Sequence, residues 1–410
     1  MIPLDRQRAR ADLAAIFRAA LAGVDGRAVV RLHLETTVPH GTVAAVAVGK
    51  AAAAMLAGAH DVLGDRLSAA LLITKPGHFD PELAADARIT CLAGGHPLPD
   101  ARSLAAGDGL LRFIAELPPQ QPLLFLLSGG ASSLVEVLPA GVDLALLQRT
   151  NRWLLGSGLD IRAMNRVRQR LSALKGGRLL QRLDAHATSV LLLSDVPGDD
   201  PAVIGSGPLW PDAAPDTPLP AVPDWLTLPR DLVPPCTAAP VPHHVLANLS
   251  QALQAGAAQA AALGYPATVM SRALSGPADA AARDIVAQLA RAAPGCYLWG
   301  GETTVVLPQA AGRGGRNQHL ALAAALAMQG RQDILLLAAG TDGDDGNTPA
   351  AGAIVDDATV GRAAAAGQDA VAALRRADAG TCLQASGDVL VTGPTGTNVT
   401  DLVIGLKLTA

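Results

Sequence analysis

Aromatic side chains make up only 2% of this chain and charged ones 17%, while half of its 410 residues are apolar, chiefly Ala, Leu and Val. So few aromatics argue against a β-sandwich and for helices packed on a parallel sheet. The formal net charge of −4 gives no electrostatic reason to expect nucleic acid or an anionic membrane as a partner. The four cysteines, Cys91, Cys236, Cys296 and Cys382, lie far apart with no C-x-x-C pair. That spacing carries neither a zinc nor a thioredoxin-type signature, and it suits small buried residues in a reducing compartment. No uncharged apolar run reaches the roughly 18 residues a membrane helix needs. The opening MIPLDRQRARADLAAIF has no apolar signal-peptide core. A soluble, cytoplasmic protein is therefore expected, without solenoid repeats. Its length exceeds one typical core, so two domains are expected.

What is present is a series of short apolar runs that end in glycine. The first to stand out is Leu123 to Glu136, LLFLLSGGASSLVE. Leu123 to Leu127 read as a strand covered on both faces, and Ser128, Gly129 and Gly130 as a tight turn into a helix start. Such a turn lets an anion approach main-chain N–H groups. A strand followed by Ser-Gly-Gly is equally an ordinary turn, and no Walker pattern follows.

Similar loops recur along the chain. TVAAVAVGKAAAAML places Lys50 just past a strand's carboxyl end, where open α/β sheets bind ligands. TKPGH and GGHPLPD put Lys75, His78, His96 and Asp100 in comparable loops, with Asp100 capping a helix to Leu117. In IRAMNRVRQRLSALKGGRL, Arg162, Arg166 and Arg170 share one helical stripe and Asn165, Arg168 and Lys175 face elsewhere. The pair Gly176 and Gly177 costs a helix stability unless it turns the chain or admits a ligand. Asp195, in SDVPGDD after an apolar strand, fits a base, a magnesium ligand or a turn former. Residues 208–242 hold 11 of the 29 prolines and read as an extended connection, with a helix from Asn248 to Leu263 beyond it. Further on, GGETTV and RGGRNQ place Gly300, Gly301, Glu302, Thr303, Arg316 and Asn317 near strand ends and a helix start. TDGDDG brings three aspartates (Asp342, Asp344, Asp345) without EF-hand spacing, and TNVTDL adds Asn398 and Asp401.

Each loop alone is ordinary, and their number is the argument. Two α/β domains with such edges around one cleft would gather cations (Lys50, Lys175, Arg316) and carboxylates (Asp195, Glu302, Asp342), a mixture suited to phosphoryl transfer.

Ten motifs occur in one order: VGKAA, TKPGH, GHPLPD, SGGASSL, MNRVRQRLSALKGGRL, SDVPGDD, GGETTV, GRGGRNQ, TDGDDG and TGPTGTNVTDL. Together they resemble the glycerate 2-kinase family, whose C-terminal part is the MOFRL domain and some of whose members carry the label hydroxypyruvate reductase. The resemblance covers nearly the whole chain except the proline-rich connection. It implies an α/β fold of two domains: an N-terminal Rossmann-like, doubly wound, mostly parallel sheet in residues 1–242 (208–242 being the connection) and a smaller C-terminal α/β domain in 243–410, with the active site in a cleft between them. It implies ATP-dependent phosphorylation of D-glycerate at the 2-hydroxyl with Mg2+ or another divalent cation, and it leaves a homodimer open. Carried over by motif, the essential lysine falls on Lys50 and the essential arginine on Arg316. Ser128, Gly129, Gly130, Ser132 and Ser133 would hold phosphate or the substrate carboxylate. Asn165, Arg168, Lys175, Gly300, Gly301, Glu302, Thr303 and Asn317 would line the site. Asp195 is our inference for base or metal ligand, with Asp342 as a second candidate metal ligand. The family's usual SGGGSA is SGGASS here, so Ala131 is strained if its position needs a positive φ. The rivals are a nicotinamide-dependent reductase, for which no GxGxxG opens a helix after a strand, and a non-catalytic binder of glycerate or nucleotide.

Overall fold

A computed structural model describes residues 6–37, 39–183, 186–211, 218–229 and 241–409. Cys236 and much of the proline-rich connection lie outside these residues. The chain divides into two units, Gly26–Ala247 and Met1–Asp25 with Asn248–Ala410.

The first unit is built on six strands: β1 (Val43–Val48), β2 (Leu67–Thr74), β3 (Ile89–Ala93), β4 (Leu123–Leu127), β5 (Thr188–Leu193) and β6 (His243–Ala247). All pair in parallel in the order β3-β2-β1-β4-β5-β6. This is the Rossmann order, and it reverses between β1 and β4. Every residue of β1 and β4 is buried, as a strand covered by helices on both faces must be. One face packs Val46, Val48, Phe125, Leu127, Val190 and Leu192 against Leu110 and Ile114 of the helix Ala101–Glu116. That helix starts where expected, Asp100 accepting from Arg102 N at 2.9 Å while Ser103 completes a capping box.

The second unit holds β7 (Ala267–Val269), β8 (Gly295–Gly301), β9 (Ile334–Gly340), β10 (Gly352–Val355), β11 (Val389–Leu390) and β12 (Asp401–Lys407) in the order β11-β10-β9-β12-β8-β7. Here β12 runs antiparallel to both neighbours, β8 and β9, so its first residue lies beside their last ones. Asp401 pairs in register with Gly301 on one side and Gly340 on the other.

The N-terminal helix Arg6–Ala22 belongs to this second unit, whereas the sequence reading places residues 1–242 together. Its contacts give the reason. Arg10 bonds to Asp356 at 2.9 Å and Asp388 at 2.8 Å, and the buried Tyr265 hydroxyl donates to Asp12 at 2.7 Å. Where the helix Arg6–Ala22 meets the helix Leu249–Ala262, a Cβ on Gly256 would come within 3.4 Å of Ala20. The division also falls at 247 rather than 242, because β6 completes the first sheet. Asn248 then caps the next helix, accepting from Gln251 N at 3.1 Å.

Candidate active site

In the first unit, β1 and β4 end level: Val48 pairs with Leu127, so the residues after each strand emerge side by side at the reversal point. The two loops interlock there. Lys50 N donates to Gly129 O at 2.9 Å and Ala51 N to the buried Ser128 Oγ at 3.1 Å. Gly49 has φ +134, and a Cβ on it would come within 2.1 Å of Ser128 Oγ, so only glycine fits. A Cβ on Gly130 would sit 3.1 Å from the Lys50 Cγ and 3.3 Å from the His96 ring, which places the Lys50 stem, His96 and the Ser-Gly-Gly turn together. Lys50 heads towards the helix Ala52–Leu63, while the helical turn after Gly130 is only Ala131–Leu134. The helix start read after SGG is thus a single turn. The chain leaves it because Glu136 N bonds to Ser103 O at 3.0 Å, and Gly94 and Gly107 let the segment pass against them. The left-handed residue is Gly130 (φ 84), and Ala131 is helical, so the alanine carries no strain.

Ser132, Asn165 and Arg168 are joined by a residue that motif reading does not single out, Ser206. Ser132 Oγ lies 2.8 Å from Ser206 Oγ, which donates to Asn165 Oδ1 at 3.0 Å, and Arg168 Nη1 reaches the same Oδ1 at 3.2 Å. Arg168 Nε also donates to Asn151 at 3.2 Å, and burial lowers its pKa. The GSG at 205–207, a serine between two glycines, is the signal that could have marked Ser206. Ser133 Oγ turns back to Gly130 O at 3.1 Å.

Lys175 stands apart. Expected to line the cleft, its ammonium is instead buried in an ion pair with Glu136, whose other oxygen accepts from Ser172 at 2.5 Å. Burial pushes the Glu136 carboxyl above its ordinary value, with Lys175 and Ser172 pulling it back. The pair anchors the turn at Gly176 (φ 64) and Gly177 (φ 76), whose N–H groups bond to Ser206 O at 3.1 Å and Gly207 O at 2.7 Å. The helix Ile161–Arg170 ends before this turn, so the glycine pair costs no helix. Asp195 follows β5, at the same edge and half-buried.

The second unit gathers its charges at the start of β12. Arg316 opens the helix Arg316–Ala327 and holds Asp401 with Nε at 2.5 Å and Nη2 at 3.0 Å, and its Nη1 meets Glu302. Burial would lower the Arg316 pKa, but Asp401 and Glu302 raise it above its ordinary value. Asp345 caps the same helix from outside, accepting from Asn317 N at 3.0 Å and Gln318 N at 2.7 Å. Burial pushes its carboxyl up to about 7, against the pull of those N–H groups and Arg316. Gly300 and Gly301 form the last residues of β8. Gly301 has φ +137, and a Cβ there would meet Leu274 O at 2.5 Å. Thr303 is buried. Asp342 accepts from Asp344 N at 3.3 Å, a loop-closing bond. Asp401 and Asp345, read from sequence only as polar loop residues, are the buried carboxyl groups of this site. Among the described residues, no three His, Cys, Asp or Glu side chains group as a metal cage.

Two family models match the chain: a domain of unknown function (DUF4147) over residues 12–228 and the MOFRL family over 295–401. A D-glycerate 2-kinase from Thermotoga maritima is 38% identical over 377 residues, 88% of this chain and 89% of its own length. The chain belongs to the glycerate 2-kinase family. A second member, the glycerate 2-kinase of Pyrococcus horikoshii, is 32% identical over 89% of this chain and 87% of its own. The crystal structure of a Thermotoga maritima glycerate kinase superposes with a TM-score of 0.80 at 33% identity, covering 98% of this chain and 100% of that one. The family therefore accounts for both sheets and for the motif order.

Proposed function

We propose that the chain transfers the γ-phosphoryl group of ATP to the 2-hydroxyl of D-glycerate, giving 2-phospho-D-glycerate and ADP. The observation that carries this reading is the junction of Lys50 with the Ser128-Gly129-Gly130 turn at the strand reversal of the first sheet, in a chain of this family. A lysine is a compact point charge suited to phosphate oxygens, and a glycine turn lets them approach the backbone.

Arg316 is the second cation of the proposal, its planar fork already held by Asp401 in a fixed direction. Asp195 serves as base: the 2-hydroxyl oxygen takes the phosphoryl group, its proton passes to the Asp195 carboxylate, and the bridging oxygen leaves with ADP. Lys175, paired with the buried Glu136, acts in this proposal as an anchor for the turn at Gly176 and Gly177. Magnesium is usually held by one or two carboxylates and the phosphates it accompanies. Asp195, after β5, and Asp342, after β9, are the carboxylates proposed for that habit, each at the edge of its own sheet. When bound, the cation neutralises charge on the phosphoryl oxygens.

The reductase reading loses support at the same junction. The first βα loop of a dinucleotide-binding sheet needs G-x-G-x-x-G, and here β1 is followed by a single glycine, Lys50 and alanines. Purified protein with ATP, Mg2+ and D-glycerate should release ADP in a coupled assay. Hydroxypyruvate with NADH should give no loss of absorbance. ADP release that does not depend on glycerate, or none at all, overturns the proposal.

A further inference from the structure

Gly205 (φ 59), Ser206 (φ 67) and Gly207 (φ 63) place three consecutive residues in the left-handed region, where glycine alone sits without strain. A third glycine would be the relaxed choice, so a serine there is kept for its side chain. Ser206 is 1% exposed, and its carbonyl is taken by Gly176 N at 3.1 Å and Gln169 Nε2 at 3.3 Å.

The hydroxyl has a determined direction. Arg168 can only donate and the Val203 carbonyl can only accept. With Arg168 Nη1 at 3.2 Å from Asn165 Oδ1 and Asn165 Nδ2 at 3.1 Å from Val203 O, the Asn165 amide has one orientation. Ser206 must therefore give its single proton to Oδ1, at 3.0 Å. Ser132, 2.8 Å from Ser206 Oγ, must in turn donate to it. The proton of Ser132 is thus committed inward, and what remains on Ser132 Oγ is lone pairs.

Resting on the kinase reading, we propose that Ser206 is a positioning residue that makes Ser132 a hydrogen-bond acceptor for a hydroxyl of the hydroxy-acid substrate rather than a donor to an anion. Anion binding then falls to the turn's backbone and to the cations, and Ser132 discriminates by alcohol.

The test is a double-mutant cycle of Ser132→Ala, Ser206→Gly and both together, read by calorimetry as the Kd for D-glycerate and, separately, for ADP. Ser206→Gly suits the backbone and should melt at or above the wild-type temperature. Each single change should weaken glycerate binding about tenfold, the loss of one hydrogen bond, and the double variant should be no worse than either. ADP affinity should stay within about twofold in all three. Unchanged glycerate binding in Ser206→Gly, losses that multiply in the double variant, or a loss confined to ADP each overturn the proposal. So does a melting temperature of Ser206→Gly several degrees below wild type, which makes the residue merely structural. Intact coupling without ADP release from the wild type removes the kinase reading alone, and wild-type protein that does not bind glycerate removes both.

Discussion

The two sheets solve the same placement problem by different means. In the first, every strand is parallel, and the reversal between β1 and β4 leaves two loops side by side, joined by main-chain and hydroxyl bonds around a half-buried Lys50. In the second, the antiparallel β12 starts between the ends of β8 and β9, and its first residue, Asp401, is a buried anion tied to Arg316. A parallel switch point needs no charge to hold its loops, because crossover helices bury both faces and the register does the alignment. An antiparallel strand entering at the binding edge buries a carboxylate there, and a buried carboxylate requires a cation. Function and stability are therefore separable at Lys50 and fused at Arg316.

The largest expected effect tests the separable half. Lys50→Ala should lower kcat by about 10²- to 10³-fold, the scale for losing one preorganised electrostatic contact, while the melting temperature moves by a degree or two at most. A comparable fall in melting temperature would erase the contrast with Arg316.

Removing one partner of the buried Lys175–Glu136 pair comes next. Lys175→Met leaves the Glu136 carboxylate uncompensated, at a cost of about 3–5 kcal/mol, and should lower the melting temperature by roughly 10 °C. The double variant Lys175→Met/Glu136→Gln should recover a large part of that loss, which thermal denaturation reads directly.

Arg316→Ala should then lose activity and stability together, because Asp401 is 3% exposed and would lose both hydrogen bonds of the guanidinium fork that pairs it. The loss should be about 2–4 kcal/mol, moderated by the exposure of Glu302. Arg316→Lys keeps the charge without the fork and should restore stability more than turnover. Equal rescue of both would show that charge alone acts at this position.

The smallest effect concerns pH. Asp345 has a folded-state carboxyl pushed above its unfolded value, to about 7. Its contribution to stability is therefore present in full below the ordinary carboxylate range and is lost as pH rises through 7. Wild type should lose a few degrees of melting temperature relative to Asp345→Asn between pH 5 and pH 8. A difference that stays flat over that range would mean that the helix N–H groups and Arg316 hold Asp345 ionised throughout.

The strands and their polar ends were legible because both leave local marks. LLFLL and VAAVAV are short uninterrupted apolar runs of the kind a doubly covered strand shows, and Asp100 and Asn248 stand where the helices that they cap begin. Long-range contacts leave no such mark. Nothing near Lys175 in sequence says that Glu136 will bury it, since the partner lies 39 positions away. The place of the N-terminal helix in the second unit follows from Arg10 meeting Asp356 and Asp388, more than 300 positions on. Ser206 leaves no mark for a subtler reason. Strain at a serine is visible only once its φ is known, and GSG in a sequence reads as a flexible turn.

The central claim is transfer to the 2-hydroxyl, and phosphorus NMR of the product formed from D-glycerate and ATP tests it most directly. A phosphate on C2 couples to the one proton of that carbon and should appear, with proton coupling retained, as a doublet growing as ADP accumulates. A triplet, from a phosphate on the C3 methylene, or no new phosphomonoester signal at all, would contradict the account.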